Sequence, residues 1–413
     1  MLTTIRNAWK IPELRRKLLF TLVIILLYRI GNVIPVPGVN VQQMSLMFSQ
    51  QLSNTIFGLF DMMSGSAFSQ ATIFALSIQP YINASIIIEL LAIAIPALER
   101  LAKEGGEEGQ KKIQRITRYT TVGLGLLMGW AYYMMLRNYS SQISIITSEG
   151  LLPALVIILA FTAGSALVMW LGEQITEFGV GNGISIILFA GILSRVPTMV
   201  NGGVSYVIAD PTKWWAVALV VVGMLALIVL ITWVNGAERR IPVQYAKRQV
   251  GRKMYGGQAS TLPMKVNMSG VLPIIFAQSI ASLPATVWAF VGTPDKDTSP
   301  VAYSIYSAID TKSVLYLIVY FLMIIGFSYF YATIQFNPVE ISNNLKRNGG
   351  FIPGFRPGKP TSDFIAKVLN KVTLFGAIYL GIVAICPLIA GKLLGNSGLA
   401  IGGTSVIIVV GVA

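Results

Sequence analysis

Ten mostly apolar runs, at residues 18–36, 72–95, 118–137, 151–171, 182–200, 214–234, 269–291, 313–335, 368–390 and 399–413, restrict what this 413-residue chain can fold into more than any other feature. A helix needs about 20 apolar residues, at about 1.5 Å rise each, to cross a bilayer. Hydrocarbon offers the backbone no hydrogen bonds, so an uninterrupted run of this length satisfies itself as a helix. Charged residues make up only 12% of the chain, against about 25% in soluble domains, and 54% of it is hydrophobic. These features predict an all-α polytopic membrane protein. The tenth run stops inside an apolar stretch at Val410–Ala413, so the chain is expected to continue past it.

The formal net charge of +14 suits a nucleic-acid-binding face only on a soluble domain. Here it sits in a few segments. The N-terminal segment together with 99–118, 237–265 and 336–371 holds 24 of the 31 Lys and Arg residues. Lys and Arg accumulate on the cytoplasmic side of a membrane. That places the N-terminus and these basic segments in the cytoplasm. The expected division is an N-terminal half, 1–210, and a C-terminal half, 211–413, with five spans each. An odd span number makes the two halves enter the membrane in opposite senses, as inverted repeats do.

Several chemistries are absent from the outset. With no histidine, His-based triads, HExxH zinc sites and imidazole relays are excluded. Cys386, the single cysteine, lies in an apolar run and has no partner for an internal disulfide. Gly179-Val-Gly-Asn-Gly183 has no preceding strand and no following P-loop Lys-Ser. Lys103-Glu-Gly-Gly-Glu-Glu-Gly109 is expected to be a solvated turn. No cleavable signal peptide is expected, because the first apolar run is followed by Pro35-Val-Pro-Gly38 instead of a small-residue cleavage site. No enzymatic activity and no cofactor are expected.

Residues 57–71 are apolar but short, and Asp61 and Ser64-Gly65-Ser66 interrupt them. Such a segment is either re-entrant, buried in protein or lining a watery cavity, or an external loop on the lipid surface. In the next run Ile82, Ile86 and Glu89 fall at i, i+4 and i+7, on one helix face. An intramembrane acid faces water or a partner. Glu89 is therefore either a salt-bridged structural residue or a proton or substrate site, which leaves a secondary transporter of a small solute as the rival function. A transporter should place charges or broken helices at matching points of both halves. The second half has no intramembrane acid to match Glu89.

Six stretches occur in one order along the chain. They are Arg29-Ile-Gly-Asn-Val-Ile-Pro-Val-Pro-Gly38, Ile73-Phe-Ala-Leu-Ser-Ile-Gln-Pro-Tyr-Ile-Asn-Ala-Ser-Ile-Ile-Ile88 and Gly181-Asn-Gly-Ile-Ser185. The others are Glu238-Arg-Arg-Ile-Pro-Val-Gln-Tyr-Ala-Lys-Arg248, Asn337-Pro-Val-Glu340 with Asn343–Gly358, and Gly402-Gly-Thr-Ser405. Together they resemble the SecY/Sec61-alpha family, the pore-forming subunits of protein translocases. The resemblance implies two pseudo-symmetric inverted halves of five helices around an hourglass pore, with a ring of aliphatic side chains at its waist. The matching ring positions are Ile82, Ile86, Leu188, Ile192, Ile275 and Ile408. Leu188 replaces the family's usual isoleucine, and Glu89 its usual glutamine. Taken singly these side chains suit ordinary helix packing; as a set they match the ring. A narrow aliphatic constriction gates by dewetting and holds no passing polypeptide by hydrogen bonds.

The resemblance also implies that 57–71 is the plug, a short helix sealing the closed pore from outside, with Phe60, Asp61, Met62, Met63, Ser64, Gly65, Ser66, Ala67 and Phe68 at its centre. A lateral gate would open between spans 2 and 3 and spans 7 and 8, with Ser77, Gln79 and Asn83 facing Gln278 and Ser279. The loops 237–265 and 336–366 would receive the motor ATPase SecA and the translating ribosome, including its RNA. Arg239, Arg240, Lys247, Arg248, Lys346, Arg347 and Arg356 are the expected docking residues, Arg being suited to bidentate contact with phosphate or carboxylate. Pro and Gly at 338, 349, 350, 353, 354, 357 and 358 would hold Arg356 on a defined turn. Small membrane subunits resembling SecE and SecG are further implied partners. Signal peptides and unfolded polypeptides are the implied substrates, and the bacterial plasma membrane the implied location. With no nucleotide site of its own, such a channel takes its energy from a partner.

Overall fold

The structure is a computed structural model that describes residues 9–49, 56–103, 105–140, 144–147, 150–245, 248–250, 253–255, 259–268, 270–291, 300, 303, 307, 313–393 and 403–412. It is mostly helical and separates into two compact units. The first is Met1–Pro211 with Ser282–Ser313 and Val412; the second is Thr212–Ala281 with Val314–Gly411 and Ala413.

The first unit contains α1 (Pro12–Gly31), α2 (Val41–Met47), α3 (Ile56–Ser64), α4 (Gln79–Ala94), α5 (Pro96–Lys103), α6 (Gly106–Ser140), α7 (Leu151–Phe178), α8 (Gly183–Leu193) and α9 (Val196–Ala209). Several boundaries follow from single residues. Asn40 and Asn182 cap α2 and α8, each side chain accepting from backbone N–H groups two and three residues on. Pro80 starts α4, because its ring would clash with a helical carbonyl four residues back. The second apolar run is therefore helical only from Gln79; Thr72 bridges to Pro35 and Ile73–Ile78 form turns, with Ser77 at φ 47°. Of the 103–109 segment, expected as a solvated turn, Lys103 ends α5 and Gly106–Gly109 already belong to α6. The fifth run is interrupted at Ser194 and Arg195, between α8 and α9. On α6, Gly125 and Gly129 stand against Thr162 and Ser165 of α7, small residues that let two helices approach closely. The core of this unit joins Met44, Met47, Phe57, Phe68, Tyr132, Leu136, Ile157 and Phe161.

The second unit contains α10 (Trp214–Gly236), the strands β1 (Glu238–Tyr245), β2 (Arg248–Val250), β3 (Lys253–Tyr255) and β4 (Ala259–Lys265), the part of α11 (Leu272–Val291) up to Ala281, α12 (Val314–Gln335), α13 (Pro338–Arg347), β5 (Gly350–Phe351), α14 (Lys359–Leu393) and α15 (Gly403–Val412). Its apolar core unites Ile231, Ile274, Ala277, Tyr320, Ile324, Leu380, Val383 and Ile407. The described residues of segment 237–265 are mostly in β-strands. In it β1 pairs antiparallel with β4, Glu238 opposite Lys265 and Gln244 opposite Ala259, and β5 adds to β1 only at Gln244 and Tyr245. Pro242, which cannot donate to a ladder, lies where that second edge of β1 is open. Ile241 and Val243 point inward to Met264, Leu345, Ile352, Ile365 and Leu369. The β1–β4 ribbon is thus packed onto α13 and the start of α14.

Among the described residues, five helical stretches are long and apolar enough to cross a membrane, and Gln79–Ala94 and Leu272–Ala281 are shorter apolar ones. Leu219, Val222, Leu225, Val229 and Trp233 of α10 are exposed on the chain. So many large apolar side chains exposed on one helix suit lipid and would be costly in water.

Candidate functional site: the plug and its seat

The predicted plug is helical at Ile56–Ser64 and continues mostly as turns from Gly65 to Ile78. It is folded into the first unit, with Met63, Ser64, Ala67 and Phe68 buried. A close backbone approach makes this possible. A Cβ on Gly191 of α8 would sit 2.5 Å from the Met63 carbonyl oxygen, and one on Gly65 would sit 2.7 Å from Ser194 Oγ. Only glycine fits at either point, and Gly65 additionally takes φ 69°.

Polar groups then tie down the plug's backbone. Asn32 Nδ2 donates to the Ser64 carbonyl at 3.1 Å, and Tyr28 Oη lies 3.4 Å from both that carbonyl and Ser77 Oγ. Ser64 Oγ donates to the Asp61 carbonyl at 3.1 Å and accepts from the Phe68 N–H at 3.2 Å. Tyr132 Oη donates to the Phe68 carbonyl at 2.6 Å, while its ring meets the Phe68 ring edge-on at 4.6 Å. Gln79 Nε2 lies 3.3 Å from Met63 Sδ. Buried backbone groups without partners are costly, so these bonds define one seated position.

Asp61 is 1% exposed. Its Oδ1 accepts from the Ser69 N–H at 2.7 Å, and its Oδ2 is 2.7 Å from Arg195 Nη1. Arg195, Asn32, Tyr28, Tyr132 and Gly191 do not stand out in the sequence as parts of the seat. One signal was available: an acid in an apolar segment requires a partner, and Arg195 is one of the few cations outside the basic segments.

The proposed ring positions are all buried. Ile82 and Ile86 lie four residues apart on α4, and Leu188 and Ile192 four apart on α8, in the first unit; Ile275 and Ile408 belong to the second. Of the proposed gate residues, Ser77 and Gln79 take partners in the plug seat, and Asn83 Nδ2 lies 3.9 Å from Met128 Sδ. Gln278 is buried and Ser279 half-buried on α11. Glu89 is exposed and has no ion pair among the described residues.

Most of the expected docking residues fall on strands, a helix end or a closed turn. Arg239 and Arg240 are exposed on β1, and Arg240 forms an ion pair at 2.6 Å with Glu238 on the same strand face. Lys346 and Arg347 are exposed in the last turn of α13, where cations complement the helix dipole. Asn337 caps the start of α13. Arg356 is exposed on a turn stitched by Thr361 Oγ1 to the Arg356 carbonyl and Ser342 Oγ to the Gly358 carbonyl, both 2.8 Å. Arg248 lies in β2, and Lys247 falls outside the described residues.

Comparisons with known proteins agree with this arrangement. The family model described as SecY matches residues 72–413. The protein translocase subunit SecY of Streptomyces scabiei is 43% identical over 425 aligned positions, which cover 100% of this chain and 95% of that one. A solved SecY, in which the plug domain stabilises the closed state of the translocation channel and maintains a membrane seal, matches with a TM-score of 0.64 at 17% identity. That match covers 99% of this chain and 94% of the other. The Sec61 of the canine ribosome-channel complex from the endoplasmic reticulum matches with a TM-score of 0.60 at 17% identity, with the same coverage. The fold is that of these channels, and the chain belongs to the SecY family.

Proposed function

We propose that this chain is the central protein-conducting channel of a bacterial Sec translocase. It passes unfolded secretory polypeptides across the plasma membrane and releases membrane-protein segments sideways into it. The observation that carries this reading is the seated plug: a short non-spanning helix held by six buried or half-buried hydrogen-bonding side chains, packed on the helix that bears Leu188 and Ile192. Full-length similarity to protein translocase subunits supports it.

The two halves, 1–210 and 211–413, act in this proposal as inverted repeats around the pore. Ile82, Ile86, Leu188, Ile192, Ile275 and Ile408 form the constriction. Gln278 and Ser279 with Ser77, Gln79 and Asn83 line the lateral gate. The N-terminus and the basic ribbon lie in the cytoplasm, in keeping with the distribution of Lys and Arg. Arg239, Arg240, Lys346, Arg347 and Arg356, with Lys247 and Arg248, present cations there to the ribosome and to a SecA motor. Small subunits of the SecE and SecG type complete the assembly. The channel itself is passive.

A small-solute transporter coupled through Glu89 is not favoured, since Glu89 has no matching acid in the second half. Reconstitution into vesicles with SecE-type and SecA partners tests the proposal. ATP-dependent protection of a secretory substrate from external protease is expected, and its absence overturns the assignment.

A further inference from the structure

Asp61 is the only charged residue between Arg29 and Glu89, and it points away from solvent into the plug's own seat. Its partner is 134 residues away in sequence, in the turn that ends α8. Arg195 follows Ile192 by three residues, and its backbone N–H donates to the Ile192 carbonyl at 3.1 Å. A cation at a helix C-terminus is favourably placed in the helix dipole. The plug is therefore joined by a charge pair to the helix that carries two constriction residues, at the point where Gly191 and Gly65 let the backbones touch.

Two further observations say what the pair works against. Ser66 and Ala71, both non-glycine, take φ of 73° and 47° just beyond the helix. L-residues in that region are strained and stay there only when their surroundings hold them. In addition, Arg195 is engaged on one side only. Its Nε is buried without a hydrogen-bond partner among the described residues, and its side chain is 22% exposed against 1% for Asp61. Leaving the seat would relieve both the backbone and the unpaired Nε, while it would break the ion pair.

We infer that the Asp61–Arg195 pair is an electrostatic latch that holds the plug on α8 in the resting channel and so sets how hydrophobic a signal segment must be to open it. This rests on the channel function proposed above. A signal segment shifts the closed–open equilibrium only by the difference in its affinity for the two states. Weakening the latch lowers the difference required, and weaker signals then suffice.

The test uses the assembled channel in vesicles and two readouts: anion leak without substrate, and transport of substrates whose signals carry progressively fewer leucines. Asp61→Asn keeps an oxygen for the Ser69 N–H and removes only the charge. Arg195→Gln removes the cation from a partly exposed turn and carries the test alone if Asp61→Asn does not assemble. Each is expected to raise resting leak by about tenfold and to admit signals that the wild type rejects. The double variant should leak no more than either single one, because both remove the same interaction. Arg195→Lys, which keeps the charge, should stay near wild type. Wild-type leak and signal threshold in Arg195→Gln, or additive effects in the double variant, overturn the latch. A wild-type channel that transports nothing overturns the channel function instead.

Discussion

Gly191 shows how much of the seat depends on what a residue lacks. The Met63 carbonyl oxygen occupies the space a side chain would need, and being backbone it cannot swing aside. Gly191→Val should therefore displace the plug helix, at a cost of about 1–3 kcal/mol to the seated state. With Cys386 replaced by serine, a Met63→Cys probe reports this directly, because Met63 is only 4% exposed in the seat. Labelling by a membrane-impermeant thiol reagent is expected to accelerate in the Gly191→Val background; an unchanged rate would show that the approach is not tight. Neither Gly191 nor Tyr132 could be picked out from sequence, since a glycine or tyrosine in an apolar helix has many uses and only the position of the plug selects one. Asp61 was visible as an anomaly, but its partner lies 134 positions on and no periodicity links the two.

At the scale of elements, the apolar runs located the helices, while caps and breakers decided where they end. Asn182 and Asn337, inside two of the motifs that carried the family resemblance, are helix N-caps, so part of those motifs is local folding chemistry. The β-ribbon escaped notice because its strands are rich in Arg, Lys and Gln and contain Pro242 and Pro263, residues that argue against a strand unless one edge is free. Its inward residues Ile241 and Val243 do alternate, but over too short a stretch to stand out. The turn that follows α13 was legible from its prolines and glycines. Gly354 and Gly358 take positive φ, and two hydroxyl–carbonyl bonds close the turn. Because the turn is held by backbone carbonyls and hydroxyls, Arg356→Glu should leave it folded. The charge reversal is expected to abolish SecA-driven transport, measured by protease protection, while the protein still accumulates in the membrane. Transport at the wild-type rate would remove Arg356 from motor coupling.

For the whole molecule, membrane class followed from hydrophobic run length, and the orientation proposed here from Lys and Arg placement, because both rest on the bilayer as solvent. The function needed more than physics of that kind. Six aliphatic residues in ten apolar runs are indistinguishable from packing until a motif order, a plug and a family match select them. In the proposed channel those six line the path of a moving polypeptide. Single cysteines at Ile82, Ile86, Leu188, Ile192, Ile275 and Ile408, in a chain with Cys386 replaced by serine, can be oxidised against a cysteine in a secretory chain arrested midway through transport. Disulfide cross-links are expected at the ring positions and none at cysteines placed at the lipid-suited Leu219 or Val222 of α10. Cross-linking at Leu219 or Val222 with none at the ring would contradict the proposed path.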